Sequence, residues 1–525
     1  MPKRHRCRIG ANMRSAVLVA SVLLSFSRPI AQEPAAGCAG LASRAPTNTA
    51  VTLAQEISEG SFALPRQPGA LRNLPPFCRI AGVIAPTSDS EIRFEVWMPL
   101  TGWNGKFAGV GNGGWAGDIS YVALAEQLRR GYAAASTNTG HEDGAGLDMA
   151  RFAHDKPERL IDFAYRAHHE TAVAAKSLVQ AFYGKASEHA YFIGCSSGGY
   201  EGLMEAQRFP TDYEGIVAGA PANNWTRLMA GDFDGVLAVL KDPASTLPPS
   251  ALGMLYRSVL ASCDAIDGVV DGVIDDPRRC TFDPATLSCS RPHDGVACLT
   301  EPQVGAARRI YGGLKDPVSG AQLYPGLARG SEPFWPHRDA ANPFQIPLSH
   351  YRWLVFADPN WDWKTFDWMR PSDYEAHQKA EARLAPILNA TNPDLKEFRR
   401  RGGKLLQYHG WNDQLIAAEN SINYYESVQK FFGSAAEVQS FYRLFMVPGM
   451  THCAGGTGPN AFDMQPLLEQ WVERGVPPDR VIATRSINGV VDRSRPLCVY
   501  PRAAVYTGKG DTNEAASFVC KDPPR

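Results

Sequence analysis

Three residues in this chain have the types and the order needed for nucleophilic attack on an acyl carbon. Ser196 stands in Gly194-Cys195-Ser196-Ser197-Gly198, directly after the apolar run Ala190-Tyr191-Phe192-Ile193-Gly194. Gly199-Tyr200-Glu201-Gly202-Leu203-Met204-Glu205-Ala206, which suits a helix, follows it. A lone GxSxG arises by chance in a chain with 48 glycines. The strand–turn–helix context makes it read as a nucleophile elbow, whose tight turn leaves no room for a Cβ on either side of the serine. An acid and a base follow in the order Ser, acid, His: Asp413 in His409-Gly410-Trp411-Asn412-Asp413, and His452 in Val447-Pro448-Gly449-Met450-Thr451-His452-Cys453. In such a set His452 takes the Ser196 proton and returns it to the leaving group, while Asp413 orients the imidazole and stabilises its cation. Taken singly, Ser196 suits an ordinary Gly/Ser turn, Asp413 a turn or helix cap, and His452 a loop. The three in order carry the reading. His409 competes as base but precedes the acid, which breaks that order.

Acyl chemistry also needs backbone N–H groups aimed at the developing oxyanion. Ser197, next after the nucleophile, supplies one. The second is expected from Gly109-Val110-Gly111-Asn112-Gly113-Gly114, with Gly111 first choice and Asn112 next. That run lacks the spacing and the downstream acidic residue of a dinucleotide fingerprint. Cys195 directly precedes Ser196 and Cys453 directly follows His452. If the serine and histidine meet, the two sulfurs are brought together, and in an oxidising compartment they should join.

These groups need a rigid frame. Ile92–Met98, Lys106–Val110, Tyr132–Ser136, Ala190–Gly194 and Gly215–Gly219 read as strands, and Glu158–Tyr183 has helical periodicity. Further on, Lys404–Tyr408 and Phe441–Val447 read as strands around a helix over Ala417–Phe431. Strands alternating with helices predict an α/β fold with a doubly wound parallel sheet. Asp413 and His452 then lie beyond the carboxyl ends of their strands, the edge where such sheets place their sites. Residues 226–400 show no such alternation, are rich in Pro, Gly, Trp and Asp, and read as an insertion in the core. The predicted organisation is a signal peptide over 1–31, core over 32–225, insertion over 226–400 and core again over 401–525.

The composition fits that division. The chain has 525 residues, with 53 basic and 54 acidic side chains, 44% hydrophobic and 20% charged residues. These are ordinary globular proportions and exclude a disordered, collagen-like or coiled-coil chain. A net charge of −1 without a basic block beyond the first residues argues against a nucleic-acid partner. Lys3, Arg4, Arg6, Arg8 and Arg14 precede the apolar run Ala16–Leu24, and Ala31-Gln32 offers a cleavage point. This is the layout of a secretory signal, and the run is too short to span a bilayer. The mature chain is therefore expected to be secreted or periplasmic, with no membrane association after signal removal. Ten of the eleven cysteines lie beyond the signal, an even number that reads as disulfides in an exported chain. Short separations suggest Cys263–Cys280, Cys289–Cys298 and Cys498–Cys520, the first worth about 3 kcal/mol in the chain-entropy model. Spacing leaves the connectivity open. Between Cys263 and Cys280, Asp264, Asp267 and Asp271 stand in a glycine-bearing loop. It is either a hard-cation site without the EF-hand pattern or a solvated acidic turn.

The adjacent Cys195-Ser196, the later Asp413 and the His452-Cys453 pair resemble the CS-D-HC arrangement of the tannase and feruloyl esterase family, which includes mono(hydroxyethyl) terephthalate hydrolases. The resemblance runs from about Cys38 to Cys520, through Ile193-Gly194-Cys195-Ser196, Gly215–Pro221 and Val447-Pro448-Gly449-Met450. It implies an α/β-hydrolase core with a large inserted lid, and five disulfides, adding Cys38–Cys78 and Cys195–Cys453 to the three local pairs. It also implies a structural Ca²⁺ in the lid, bound by the side chains of Asp264, Asp267 and Asp271 and the carbonyls of Val269 and Val273; acyl transfer to water needs no organic cofactor. In the terephthalate-ester hydrolases a lid arginine holds the substrate carboxylate. Tyr351 stands near that place, with Arg352 adjacent. The expected substrate is thus a small ester of an aromatic, phenolic acid. Trp353, Trp361, Trp363 and Trp368 are candidates to stack on it, and Arg352, Lys364 and Arg370 to pair with a carboxylate. A terephthalate-type hydrolase, a general esterase or peptidase on the same fold, and a non-catalytic binding module are the alternatives.

Overall fold

Gly215–Gly219 and Ala133–Thr137 are buried at every position, the pattern of strands covered on both faces. The computed structural model describes residues 37–522 apart from 66–67, 116, 143, 291–296 and 337–340. The expected signal peptide, 1–31, lies outside the described residues. One sheet gathers nine strands: β1 (Thr49–Ile57), β2 (Phe77–Ile84), β3 (Ile92–Pro99), β4 (Lys106–Val110), β5 (Ala133–Thr137), β6 (His189–Cys195), β7 (Gly215–Gly219), β8 (Lys404–Gly410) and β9 (Tyr442–Val447). Their spatial order is β1-β2-β3-β5-β4-β6-β7-β8-β9.

From β5 onward every pairing is parallel, as the alternation predicts. The first three strands are antiparallel, so the sheet is mixed where a parallel one was expected. The reason is local. β2 ends at Ile84 and β3 begins at Ile92, and a link that short closes a hairpin but cannot make a crossover.

Helices cover both faces. Leu124 and Leu128 of α1 (Tyr121–Arg129) and Leu468 and Trp471 of α9 (Gln465–Arg474) pack with Val217, Leu406 and Phe445. Leu178 of α2 (Ala167–Tyr183), Leu203 of α3 (Ser197–Arg208) and Val428 of α8 (Glu419–Phe432) pack on the other face with Ile216 and Leu405. Neighbours such as Ile216 and Val217 thus serve opposite layers, as strand alternation requires. The helix expected over Glu158–Tyr183 is three pieces in one path: Pro157–Ile161, a π-turn at Asp162–Arg166, and α2. At that turn Arg166 Nε donates to Asp162 Oδ1 at 2.6 Å.

β7 and β8 are neighbours in the sheet, yet the chain between them contains α4 (Trp225–Leu240), α5 (Pro249–Cys263), α6 (Glu301–Gly312) and α7 (Pro371–Leu388). This inserted segment builds its own aromatic cluster around Tyr351, whose ring centroid is 4.3 Å from Phe233 and 6.0 Å from Trp361. Beyond α9, β10 (Arg480–Ile487) and β11 (Val490–Cys498) form a hairpin. Disulfides join Cys38–Cys78, Cys195–Cys453, Cys263–Cys280, Cys289–Cys298 and Cys498–Cys520.

Candidate active site

Ser196 is the single residue between β6 and α3, and its backbone lies at φ 66°, ψ −123°. A non-glycine residue there costs on the order of 1–3 kcal/mol and persists only where its surroundings enforce it. They do. Its N–H donates to Gly219 O at 3.0 Å, and its carbonyl accepts Tyr200 N–H at 3.0 Å and Ala222 N–H at 3.2 Å. Glycines provide the space: a Cβ on Gly194 would stand 2.4 Å from the Gly198 carbonyl carbon, and one on Gly199 2.2 Å from Gly219 O. The serine is turned out at the carboxyl end of β6 by this packing.

Asp413 follows β8 and is fully buried; His452 follows β9 and is mostly so. His452 Nδ1 lies 2.7 Å from Asp413 Oδ2. Burial alone would disfavour both charges. The His452 charge and the hydrogen bonds from His409 and His452 nonetheless hold the Asp413 carboxyl well below its ordinary range. Asp413 in turn raises the His452 imidazole above its ordinary value, against burial. The Cys195–Cys453 disulfide spans a Cα–Cα distance of 5.9 Å. It ties the residue before Ser196 to the residue after His452, so serine and histidine share one end of the sheet. Gln414 adds a second tie, its Oε1 accepting the His452 N–H at 3.2 Å.

The loop after β4 packs on the elbow, but the expected donor Gly111 needs correcting. Its N–H already donates to Ile193 O at 3.0 Å. The second choice, Asn112, donates its N–H to Glu201 Oε2 at 2.9 Å. Gly111 serves by its lack of a side chain, since a Cβ there would be 2.4 Å from Gly198 Cα. Ser197 N–H and Gly113 N–H, on either side of this contact, have no acceptor among the described residues. Sequence reading missed Glu201 because nothing in its spacing shows that a buried glutamate on α3 reaches across to this loop.

The aromatic and basic candidates of the inserted segment are occupied elsewhere. The Tyr351 hydroxyl lies 3.1 Å from His377 Nδ1, and Trp353 Nε1 donates to Leu147 O at 2.8 Å. Trp361 stacks on Phe356 at 4.9 Å, and Trp363 and Trp368 are buried. Arg352 points to Trp361 O, Lys364 lies over the Trp363 ring, and Arg370 pairs with Asp373 at 3.1 Å.

In the acidic loop, Asp264 faces inward: its carboxylate accepts the N–H groups of Asp271 and Gly272. Asp267, Val269, Asp271 and Val273 instead border one small cavity, together with Asp275, which the sequence reading did not include. Arg495 on β11 lies 2.5 Å from Asp271. Burial and the neighbouring carboxylates push Asp267 up to about 6 and Asp275 up to about 7. Among the described residues no three acidic, imidazole or thiolate side chains converge closely enough to cage a metal by themselves. Arg493 lies 3.3 Å from the Asp271 carboxylate, and the crowded oxygens, with two backbone carbonyls added, are of the kind a hard cation takes.

A family model described as tannase and feruloyl esterase matches residues 78–521. An uncharacterized esterase of Xanthomonas campestris is 37% identical, over 93% of this chain and 92% of its own length. A probable feruloyl esterase B-1 of Aspergillus flavus is 34% identical over 84% of this chain and 86% of its own. The crystal structure of feruloyl esterase B from Aspergillus oryzae superposes with a TM-score of 0.85 at 30% identity, covering 92% of this chain and 99% of that one. A tannin acyl hydrolase from Aspergillus niger, at 24% identity and a TM-score of 0.73, shares the fold.

Proposed function

Because this chain belongs to the tannase and feruloyl esterase family, we propose that it is an exported serine esterase cleaving esters of aromatic, phenolic acids through an acyl-enzyme on Ser196. The observation that carries the reading is the 2.7 Å contact between His452 and Asp413, on a histidine tethered by its neighbouring cysteine to the Ser196 elbow. His452 Nε2 accepts the Ser196 hydroxyl proton as Oγ attacks the ester carbonyl. Asp413 keeps the imidazole in the tautomer that leaves Nε2 free, and stabilises the cation that forms. Ser197 N–H and Gly113 N–H supply the dipoles toward the developing oxyanion. The alcohol leaves with the His452 proton, and water activated by the same histidine releases the acid.

The acidic loop is proposed to hold a structural Ca²⁺ through Asp267, Asp271 and the carbonyls of Val269 and Val273, with Asp264 shaping the loop. A cation there would fasten the inserted segment, proposed as a lid, to the β10–β11 hairpin, away from the reacting groups. Export is proposed from the basic and apolar N-terminal segment and the five disulfides. Among the described residues no helix is long and apolar enough to cross a membrane.

The test is hydrolysis of methyl ferulate, methyl gallate, mono(hydroxyethyl) terephthalate and p-nitrophenyl butyrate by oxidised protein, with Ser196→Ala alongside. Turnover of a phenolic ester, lost in the variant, is the expected result. Turnover of the terephthalate or the nitrophenyl ester alone would refute the phenolic assignment, and full activity in the variant would refute the mechanism.

A further inference from the structure

The Asp413 carboxylate accepts four hydrogen bonds, one for each lone-pair site it has. Oδ1 takes the backbone N–H groups of Leu415 and Ile416, both at 2.9 Å. Oδ2 takes His452 Nδ1 at 2.7 Å and a second imidazole, His409 Nε2, at 3.1 Å. His409 lies on β8, four residues before Asp413, and is completely buried. Nothing in the reaction above uses it.

The partners of His409 reveal where its protons are. Nε2 also lies 3.1 Å from the Ile416 carbonyl oxygen. Both neighbours of Nε2 are acceptors, so Nε2 carries a hydrogen. Nδ1 lies 2.7 Å from Ser421 Oγ on the first turn of α8. The Ser421 hydroxyl thus partners the second ring nitrogen, and the imidazole is hydrogen-bonded at both ends.

The other groups facing Asp413 come from three elements. Asp232 on α4 is held well above its ordinary range by burial and by Asp413. Tyr324, on the short strand Gln322–Tyr324, is likewise held protonated by burial. His452 arrives from the loop after β9. Asp413 Oδ2 is therefore shared between two imidazoles, of which His452 stands beside the cysteine that is bonded to the neighbour of Ser196.

We propose that His409, oriented by Ser421, is a positioning residue for this esterase: its Nε2–H fixes Asp413 Oδ2 in line with His452 Nδ1 and draws part of the carboxylate's charge. The proposal rests on Ser196, Asp413 and His452 forming the catalytic triad. Without His409, Asp413 is less restrained and its charge acts on His452 alone. Turnover falls, while the imidazolium of His452 becomes harder to deprotonate.

The test compares His409→Phe, His409→Gln and Ser421→Ala in the full oxidised enzyme, with kcat, KM and the pH profile of kcat/KM as readouts. The amide nitrogen of a glutamine reaches the place of Nε2 and can still donate to Asp413. His409→Phe is expected to lower kcat roughly 10- to 100-fold with KM within about twofold, and to move the acid limb of the profile to higher pH. His409→Gln should recover most of the lost kcat and return the limb toward its original position. An unmoved limb in the phenylalanine variant, or equal losses in both, would make His409 a packing residue and overturn the proposal. Should His409→Phe fail to fold, Ser421→Ala removes one hydroxyl only. A kcat about 3- to 10-fold lower with the limb displaced upward supports the proposal, and an unchanged profile overturns it. Ser196→Ala separates the two levels: turnover retained in that variant defeats the triad itself, whatever the His409 variants do.

Discussion

Cys195 and Cys453 are joined by a disulfide although 258 residues separate them, and they are the immediate neighbours of Ser196 and His452. The bond ties the loop after β9 to the turn after β6, across the two intervening strands β7 and β8. Closing so long a loop is worth on the order of 5 kcal/mol in the chain-entropy model. Replacing both cysteines by serine should lower Tm by several degrees. It should also cut kcat by about 10- to 100-fold, because serine and histidine then drift relative to one another. Thermal unfolding and steady-state kinetics on a phenolic ester check both halves, and an unchanged kcat would show that packing alone holds the site.

The Asp413–His452 pair gives a pH dependence with a definite sign. Only the neutral form of His452 can take the serine proton, and Asp413 raises its pKa above the ordinary histidine value of about 6.5. The acid limb of kcat/KM should therefore lie above pH 6.5. Asp413→Asn should lower kcat by about 10⁴-fold and move any remaining limb downward.

The same pair contributes to stability in a window set by its two shifts. The raised His452 value adds stability that is present below its unfolded pKa and lost as pH rises through the folded one. The depressed Asp413 value adds stability above its unfolded pKa, lost as pH falls through the folded one. Both describe one interaction and are not additive. Denaturant titrations of wild type and Asp413→Asn should differ most between those limits and converge toward strongly acid pH.

Gly111 tests the close approach between loop and elbow. Gly111→Ala places a methyl group 2.4 Å from Gly198 Cα and 2.9 Å from a Glu201 carboxylate oxygen, so backbone must move. We expect kcat to fall roughly 100-fold with a smaller change in KM, since the proposed oxyanion donors would shift more than the substrate's remote contacts. Full activity in this variant would mean that the loop lies farther from α3 than the structure places it.

Calcium should act on stability. Adding Ca²⁺ to chelated protein at 100 times its Kd should stabilise it by about 2.7 kcal/mol, seen as a higher Tm. Asp267→Asn should abolish that gain while leaving kcat within about twofold at low temperature. A Tm indifferent to Ca²⁺ would leave the loop as an acidic turn closed by Arg495 and the Cys263–Cys280 disulfide.

Much of this site is legible without coordinates. Ser196, Asp413 and His452 could be picked out because each stands just past a strand whose hydrophobic pattern marks it, and because their order along the chain suits one sheet. The cysteines flanking two of them point the same way. Spacing shows a glycine at 111, but not that its N–H is already taken by Ile193 O. Tyr351 and the tryptophans of the inserted segment were similarly ambiguous, since an aromatic side chain has the same pattern in a core as in a pocket.

The alternation of strand and helix, the residue types at the carboxyl ends of the strands, and the cysteines beside the serine and histidine can all be read along the chain. These are local properties, carried by periodicity and by neighbours in the chain. The tertiary structure decided the rest. It directed the N–H groups of Gly111 and Asn112 to Ile193 and Glu201, set His409 and His452 on one oxygen of Asp413, and brought Arg495 to Asp271. Such contacts join positions from 4 to 224 residues apart, and the donors and acceptors involved are common to every chain. Which of them meet depends on how closely the layers pack, and that distance is a property of the folded protein as a whole.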